Sequence, residues 1–209
     1  FKDERVFNKF LEFYNTNFLT APVKPDSTFY SNCFRMYESK TYKRVKKIVN
    51  DKPHLDKINI INGHKVSAIH DIISYIDWDT VYSKSIQANF HGDLQLENVI
   101  YNPKTDKFFT IDWRESFGDS LQAGDAYYDL GKIYHALIIN GSYIMKDHYS
   151  VEYSENEAVL EFSIRSNLLA NLKSLKIFCE ENKLCWFNVQ LIGILNYINI
   201  SPLYEYFKD

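Results

Sequence analysis

Asp93 stands two residues after His91, Asn98 follows five residues after Asp93, and Asp112 closes an apolar run fourteen residues beyond Asn98. Each residue type has a separate use. A carboxylate at Asp93 can accept the proton of an attacking hydroxyl, and the Asn98 amide oxygen can ligate Mg²⁺ without adding negative charge beside a triphosphate. Asp112 would supply the charge that holds the metal, because Mg²⁺ takes one or two protein carboxylates and completes its shell with phosphates and waters. A base, a neutral ligand and an anionic ligand are the parts that phosphoryl transfer from ATP to a hydroxyl requires.

The intervening residues must fold these groups together. Val99-Ile100-Tyr101 reads as a strand, Asn102-Pro103-Lys104-Thr105-Asp106 as a turn and Phe108-Phe109-Thr110-Ile111 as a returning strand. Doubling the chain back once brings Asp93 and Asp112 to the same end of a hairpin. Downstream, Gly124-Asp125-Ala126-Tyr127-Tyr128-Asp129-Leu130 opens a helix with Asp125 as its cap, Leu130, Ile133, Tyr134 and Leu137 facing inward, and Asn140-Gly141 at its end. Asp129, a carboxylate in the first turn, has a use in the helix dipole and is left out of the catalytic set.

The stretch from Phe90 to Leu137 resembles the aminoglycoside phosphotransferase and choline kinase-like branch of the protein-kinase-like fold. That family carries His-Gly-Asp-Leu with Asn five after the Asp, an apolar strand ending in Asp-Trp or Asp-Pro, and Gly-Asp-x-x-x-Asp-Leu. All three blocks stand here in order. The resemblance implies Asp93 as catalytic base, Asn98 and Asp112 as Mg²⁺ ligands at an ATP site that His91 also joins, and His91 and Asp125 as braces of the catalytic loop. Ser/Thr protein kinases usually carry Lys two residues after the base, where this chain has Gln95, which favours a small-molecule acceptor. Tyr37-Glu38-Ser39-Lys40-Thr41-Tyr42-Lys43-Arg44, Ile61-Asn62-Gly63, Asp112-Trp113-Arg114 and Ser201-Pro202-Leu203 are similar to phosphotransferase-like proteins of bacterial capsule and surface-polysaccharide gene clusters. That similarity implies a sugar or sugar-like acceptor.

At 209 residues, with 45% hydrophobic and 24% charged side chains, the chain has the composition of one globular domain. The expected fold class is α+β: the mostly helical C-terminal lobe of a kinase-like fold, with a catalytic-loop hairpin and a second small hairpin. Residues 1–209 form a single domain in this reading. The chain begins at Phe1 rather than Met, and before His91 its sole glycine is Gly63. A Gly-rich nucleotide lobe is therefore expected upstream, in a longer protein. A net charge of -3 offers no basic field for nucleic acid. Lys43, Arg44, Lys46 and Lys47 alternate with Val45, Ile48 and Val49, as on the solvated face of an amphipathic helix. No apolar run reaches the length of a membrane span and no signal peptide is recognisable, so a cytoplasmic location is expected. Cys33, Cys179 and Cys185 lack metal-like spacing and read as buried thiols.

Apolar periodicity predicts helices from about Asp3 to Leu19, ended by Ala21-Pro22-Val23-Lys24-Pro25, and from Ser27 or Thr28 as cap to about Val49, with Tyr30, Cys33, Phe34, Tyr37, Val45 and Ile48 on one inner face. Lys57 to Ile61 reads as a strand before an Asn62-Gly63 turn, and Val66 to Ile76 as a helix. Tyr149 to Tyr153 and Leu160 to Ile164 form the second hairpin, followed by a helix capped by Ser166 and another from Trp186 to Ile198. For the acceptor, Asp77, Asp79, Glu115 and Asp119 could recognise a cation, although surface solubility explains them more simply. Arg114 could meet a phosphate or carboxylate, or pair with Glu115 or Asp119. Arg114 and Glu115 are the candidate substrate residues. Two competing readings are a pseudokinase or binding module without turnover, and a metal-dependent hydrolase built on His91, Asp93 and Asp112. The latter lacks companions, because His54, His64, His70, His135 and His148 are scattered.

Overall fold

Asp3 starts the first helix, α1 (Glu4–Tyr14), by accepting a hydrogen bond from the Arg5 backbone N–H at 2.8 Å. The computed structural model describes residues 3–19, 24–139 and 144–203. The helix ends expected at Ala21-Pro22-Val23 and at Asn140-Gly141 lie outside them. Phe7, Phe10, Leu11 and Tyr14 bury one face of α1, and a wider π turn (Asn15–Leu19) continues it and turns Phe18 inward.

The second long helical segment is capped by Asp26, whose carboxylate accepts from Phe29 N–H at 2.8 Å, not by Ser27 or Thr28. It comprises α2 (Ser27–Phe34), a π turn (Arg35–Ser39) and α3 (Lys40–Asp51). The wide turn changes which residues face inward. Phe29, Cys33, Tyr37, Thr41 and Val45 are buried at a constant spacing of four, whereas Tyr30 and Phe34, expected on the inner face, are exposed. A regular helix repeats every 3.6 residues, so a stripe of four-residue steps drifts around it unless a π turn resets the phase.

Short elements follow. β1 (Ile60–Ile61) and β2 (His64–Lys65) form the hairpin around Asn62-Gly63, shorter than the expected strand, and α4 (Ile69–Ser74) is likewise shorter than its apolar pattern. An unanticipated helix, α5 (Trp78–Ser83), is capped by Asp77. β3 (Gln87–Asn89) leads into the His91 loop. The expected hairpin is present as β4 (Val99–Asn102) and β5 (Lys107–Thr110), in register from Val99 opposite Thr110 to Asn102 opposite Lys107. β6 (Ala123–Asp125) pairs antiparallel with β3, a pairing with no local signal, and runs directly into α6 (Ala126–Ile138).

The second hairpin, β7 (Tyr149–Tyr153) and β8 (Glu157–Phe162), joins the first through a parallel pairing of β8 with β1, giving a four-stranded sheet in the order β2-β1-β8-β7. Two helices complete the chain: α7 (Ser166–Glu181), entered from Arg165 without the expected Ser166 side-chain cap, and α8 (Trp186–Ile200). The protein is thus α+β, mainly helical with small sheets. α6 is its central element, with every residue from Ala126 to Ile133 buried. It crosses α8 closely at Gly131 and Gly193, where an added Cβ would come within 2.8 Å of Ile192 or 2.4 Å of Tyr134. Cys33 and Cys179 are buried and Cys185 half-buried, all as free thiols. Among the described residues no helix is long and apolar enough to cross a membrane.

Candidate active site

The loop after β3 is held from below by one carboxylate. Asp129, fully buried in the first turn of α6, accepts hydrogen bonds from the backbone N–H groups of His91 (2.9 Å) and Gly92 (2.8 Å), one on each oxygen. Gly92 has φ +83°, and a Cβ there would lie 2.5 Å from Arg114 Cβ and 2.6 Å from the Phe90 ring, so only glycine allows this approach. His91 is also fully buried, and its Nδ1 accepts from Asp93 N–H at 3.2 Å. Burial lowers the His91 pKa below the usual histidine value against the opposing pull of the Ile111 carbonyl, Asp93 and Asp112. The ring is therefore neutral at pH 7 and keeps the lone pair that the Asp93 amide needs.

Asp93 itself is half-buried. Its Oδ1 is 2.9 Å from Lys132 Nζ and accepts from Gln95 Nε2 at 3.0 Å, while its backbone carbonyl accepts from Asn98 Nδ2 at 2.8 Å. Burial works to raise its pKa, but Lys132, Gln95 and Arg114 outweigh that and hold the carboxyl below the ordinary aspartate value. Asp93 is accordingly an ionised carboxylate at neutral pH.

The β4–β5 hairpin brings the second acidic residue alongside. Ile111 N–H donates to the Asn98 carbonyl at 3.0 Å, and Arg114 N–H donates to the His91 carbonyl at 2.8 Å, so residues 112–114 run beside the loop. Asp112 adopts φ +60°, a left-handed conformation that a short polar side chain tolerates. The Trp113 ring lies 4.7 Å from the His91 ring and 5.5 Å from the Phe18 ring, wedging the segment against the π turn that follows α1.

Asp93 and Asp112 share a cavity of about 310 Å³ enclosed by the loop, α3, α6 and α8. Four cations, Lys40, Arg44, Arg114 and Lys132, line the same cavity. Arg114 donates to the Tyr128 hydroxyl at 2.7 Å, and Lys40 and Arg114 each lie 5.9 Å from the Tyr128 ring centre. Burial lowers the Lys40 pKa, and its positive neighbours Arg114 and Lys132 add to the effect while Tyr128 opposes it.

Several expectations shift in detail. Asp125 does not touch the His91 loop. Its carboxylate, fully buried, accepts from Tyr127 N–H, from Ile86 N–H and from the Tyr37 hydroxyl at 3.2, 2.9 and 2.8 Å, which caps α6 and anchors the entry to β3. The loop's brace is Asp129. His91, expected also at the cofactor site, is instead buried behind the loop, and Asn98 braces Asp93 from outside the cavity wall. Arg114 does line the cavity, whereas Glu115 is exposed outside it and Asp119 pairs with Arg35. Sequence reasoning overlooked Lys132 and Lys40, and it put Arg44 on a solvated helix face, whereas Arg44 is half-buried and lines the cavity. A signal for Lys132 existed, since a lone lysine within an apolar helical run is rarely buried unless paired. The facing of Lys40 and Arg44 depends on the π turn before α3.

Among the described residues no group of three or more His, Cys, Asp or Glu side chains is arranged to hold a metal, so a hydrolase-type ligand set is not among them. No protein-family model, curated protein or solved structure matches this chain, and the site is therefore read from its own residues.

Proposed function

We propose that this cavity is the acceptor and metal half of an ATP-dependent phosphotransferase of the protein-kinase-like kind, acting on a hydroxyl of a sugar or sugar-like acceptor. The observation that carries the reading is an ionised Asp93 sharing one cavity with Asp112, with Lys132 at 2.9 Å. Asp93 accepts the hydroxyl proton. Its Oδ1 is held by Lys132 and Gln95, and its Oδ2 has no partner among the described residues, leaving that oxygen for the acceptor. Lys132 comes from α6 to the side of the base where Gln95 leaves the chain without a cation, and its charge suits the phosphoryl oxygens.

Asp112 would supply the carboxylate of an Mg²⁺ site in the cavity, and Asn98 an amide oxygen from beside it. The Asp112 carboxylate is exposed and has no hydrogen-bond or ion-pair partner among the described residues, and Asn98 spends its amide nitrogen on Asp93 so that the amide oxygen remains for a cation. A bound Mg²⁺ would neutralise phosphate charge there. An enzyme of this kind also needs a lobe that covers the nucleotide phosphates.

A second reading, a nucleotide- or sugar-binding module without turnover, is favoured by the same ion pair, because a base held by lysine is less basic. Calorimetry of Mg²⁺-ATP binding decides first: Asp112→Ala should abolish metal-dependent binding. Phosphoryl transfer by the full-length protein decides next. Asp93→Asn should leave binding intact and lower turnover by ~10²- to 10⁴-fold. Undiminished turnover in Asp93→Asn would remove Asp93 as the base, and absence of any turnover in the unaltered protein would favour the binding module.

A further inference from the structure

We propose that the acceptor is an anion, a hydroxyl-bearing compound that also carries a phosphate or carboxylate, gripped by Lys40, Arg44 and Arg114. The inference rests on the phosphotransferase reading for the meaning of the word acceptor. The anion site itself stands on the distribution of charge. Of the four cations in the cavity, Lys132 is taken by Asp93, whereas Lys40, Arg44 and Arg114 have no carboxylate partner among the described residues.

These three are gathered and not dispersed. Lys40 and Arg44 are half-buried one turn apart on α3 and turn toward the loop, and Lys40 and Arg114 meet around a single ring, that of Tyr128. Like charges drawn into one partly buried cavity repel unless an anion lies between them. The guanidinium forks of Arg44 and Arg114 suit the paired oxygens of a phosphate or carboxylate.

Uncharged groups agree with this. Asn196, buried on α8, also forms part of the cavity wall and adds a polar amide to it. The basic surface also continues. A second groove of about 550 Å³ shares Lys40 and Arg44 and adds Lys43, while its Arg35 and Lys47 are paired with Asp119 and Asp51. The anionic end of the acceptor therefore points along α3, away from Asp93. A cationic acceptor of the aminoglycoside or amino-alcohol type would meet three unpaired positive charges there.

The test is calorimetry on the full chain at low ionic strength, without nucleotide, using glucose 1-phosphate, glucuronate and glucose as probes. One of the anions should bind at least about tenfold more tightly than glucose, and Lys40→Ala/Arg44→Ala should weaken it by about tenfold or more while Mg²⁺-ATP affinity changes less than about twofold. Preference for glucose 1-phosphate names phosphate as the recognised group, and preference for glucuronate names carboxylate. Lys40→Gln/Arg44→Gln supplies the same readout if the alanine pair lowers the melting temperature. Equal binding of glucose, no saturable binding of either anion, or unchanged anion affinity in the double variant overturns the proposal. A parallel loss of Mg²⁺-ATP binding assigns these cations to the nucleotide phosphates and overturns it too. Anion binding that stands while Mg²⁺-ATP binding is absent in the full-length protein supports the anion site and sinks the phosphotransferase reading.

Discussion

The His91 loop and the four-stranded sheet are built on opposite terms. At the loop, His91 and Asp129 are fully buried and tied to backbone N–H groups by three hydrogen bonds, so a few residues are over-determined by many contacts. The sheet is short and two-sided. Its strands expose Ile61, Tyr153, Val159 and Phe162, and its edges are joined mainly by backbone bonds and by the Asn62 amide, which exchanges hydrogen bonds with Leu160 at 2.7 and 2.9 Å. Precision is concentrated where a loop must hold a carboxylate in one place, at the expense of burying polar groups that then require partners.

Removing the brace should break this contrast most severely. Asp129→Ala leaves the His91 and Gly92 N–H groups buried without acceptors and should cost about 2–4 kcal/mol, read by urea denaturation. Its titration sharpens the test. Burial pushes the Asp129 carboxyl up to about 7, with the Asp125 and Asp93 charges adding to it and the two backbone N–H groups opposing. A carboxyl near 3.9 when unfolded binds its proton more tightly in the folded state, so this contribution is complete below about pH 4 and declines as pH rises from about 4 to about 7. Asp129→Asn should remove that slope. An unchanged pH profile in the variant would show that Asp129 does not titrate in this window.

A smaller loss is expected at Gly92. Gly92→Ala meets both a left-handed backbone and the 2.5 Å approach to Arg114, and should cost about 1–3 kcal/mol with a matching fall in activity. Stability unchanged by Gly92→Ala would mean that the loop can relax. The sheet should register least. Val159→Thr, on an exposed face, should stay within about 0.5 kcal/mol, and a loss several times larger would mean that this face is covered in solution.

How much was legible follows the range of each interaction. The β4–β5 hairpin, α1 and the Asp125 cap announce themselves within a few residues, through alternation, periodicity and capping chemistry, and all three are present. The β3–β6 pairing joins strands more than thirty residues apart with nothing local to mark it. The inner face of the α2–α3 segment was misread because one π turn resets the helical phase, so Tyr30 and Phe34 point outward and Lys40 and Arg44 turn toward the site. Asp125 and Asp129 occupy similar places in one sequence block. Which of them supports the loop is decided by the direction in which α6 enters the core.

The spacing of Asp93 and Asp112 by itself determined that these two carboxylates share one place, because a hairpin returns its two ends together and its turn is encoded locally. Only the tertiary structure decided the electrostatics of that place. Lys132, Lys40, Arg44 and Arg114 come from three separate elements, and the sign of the field they create depends on helix packing and phase rather than on any residue's neighbours along the chain.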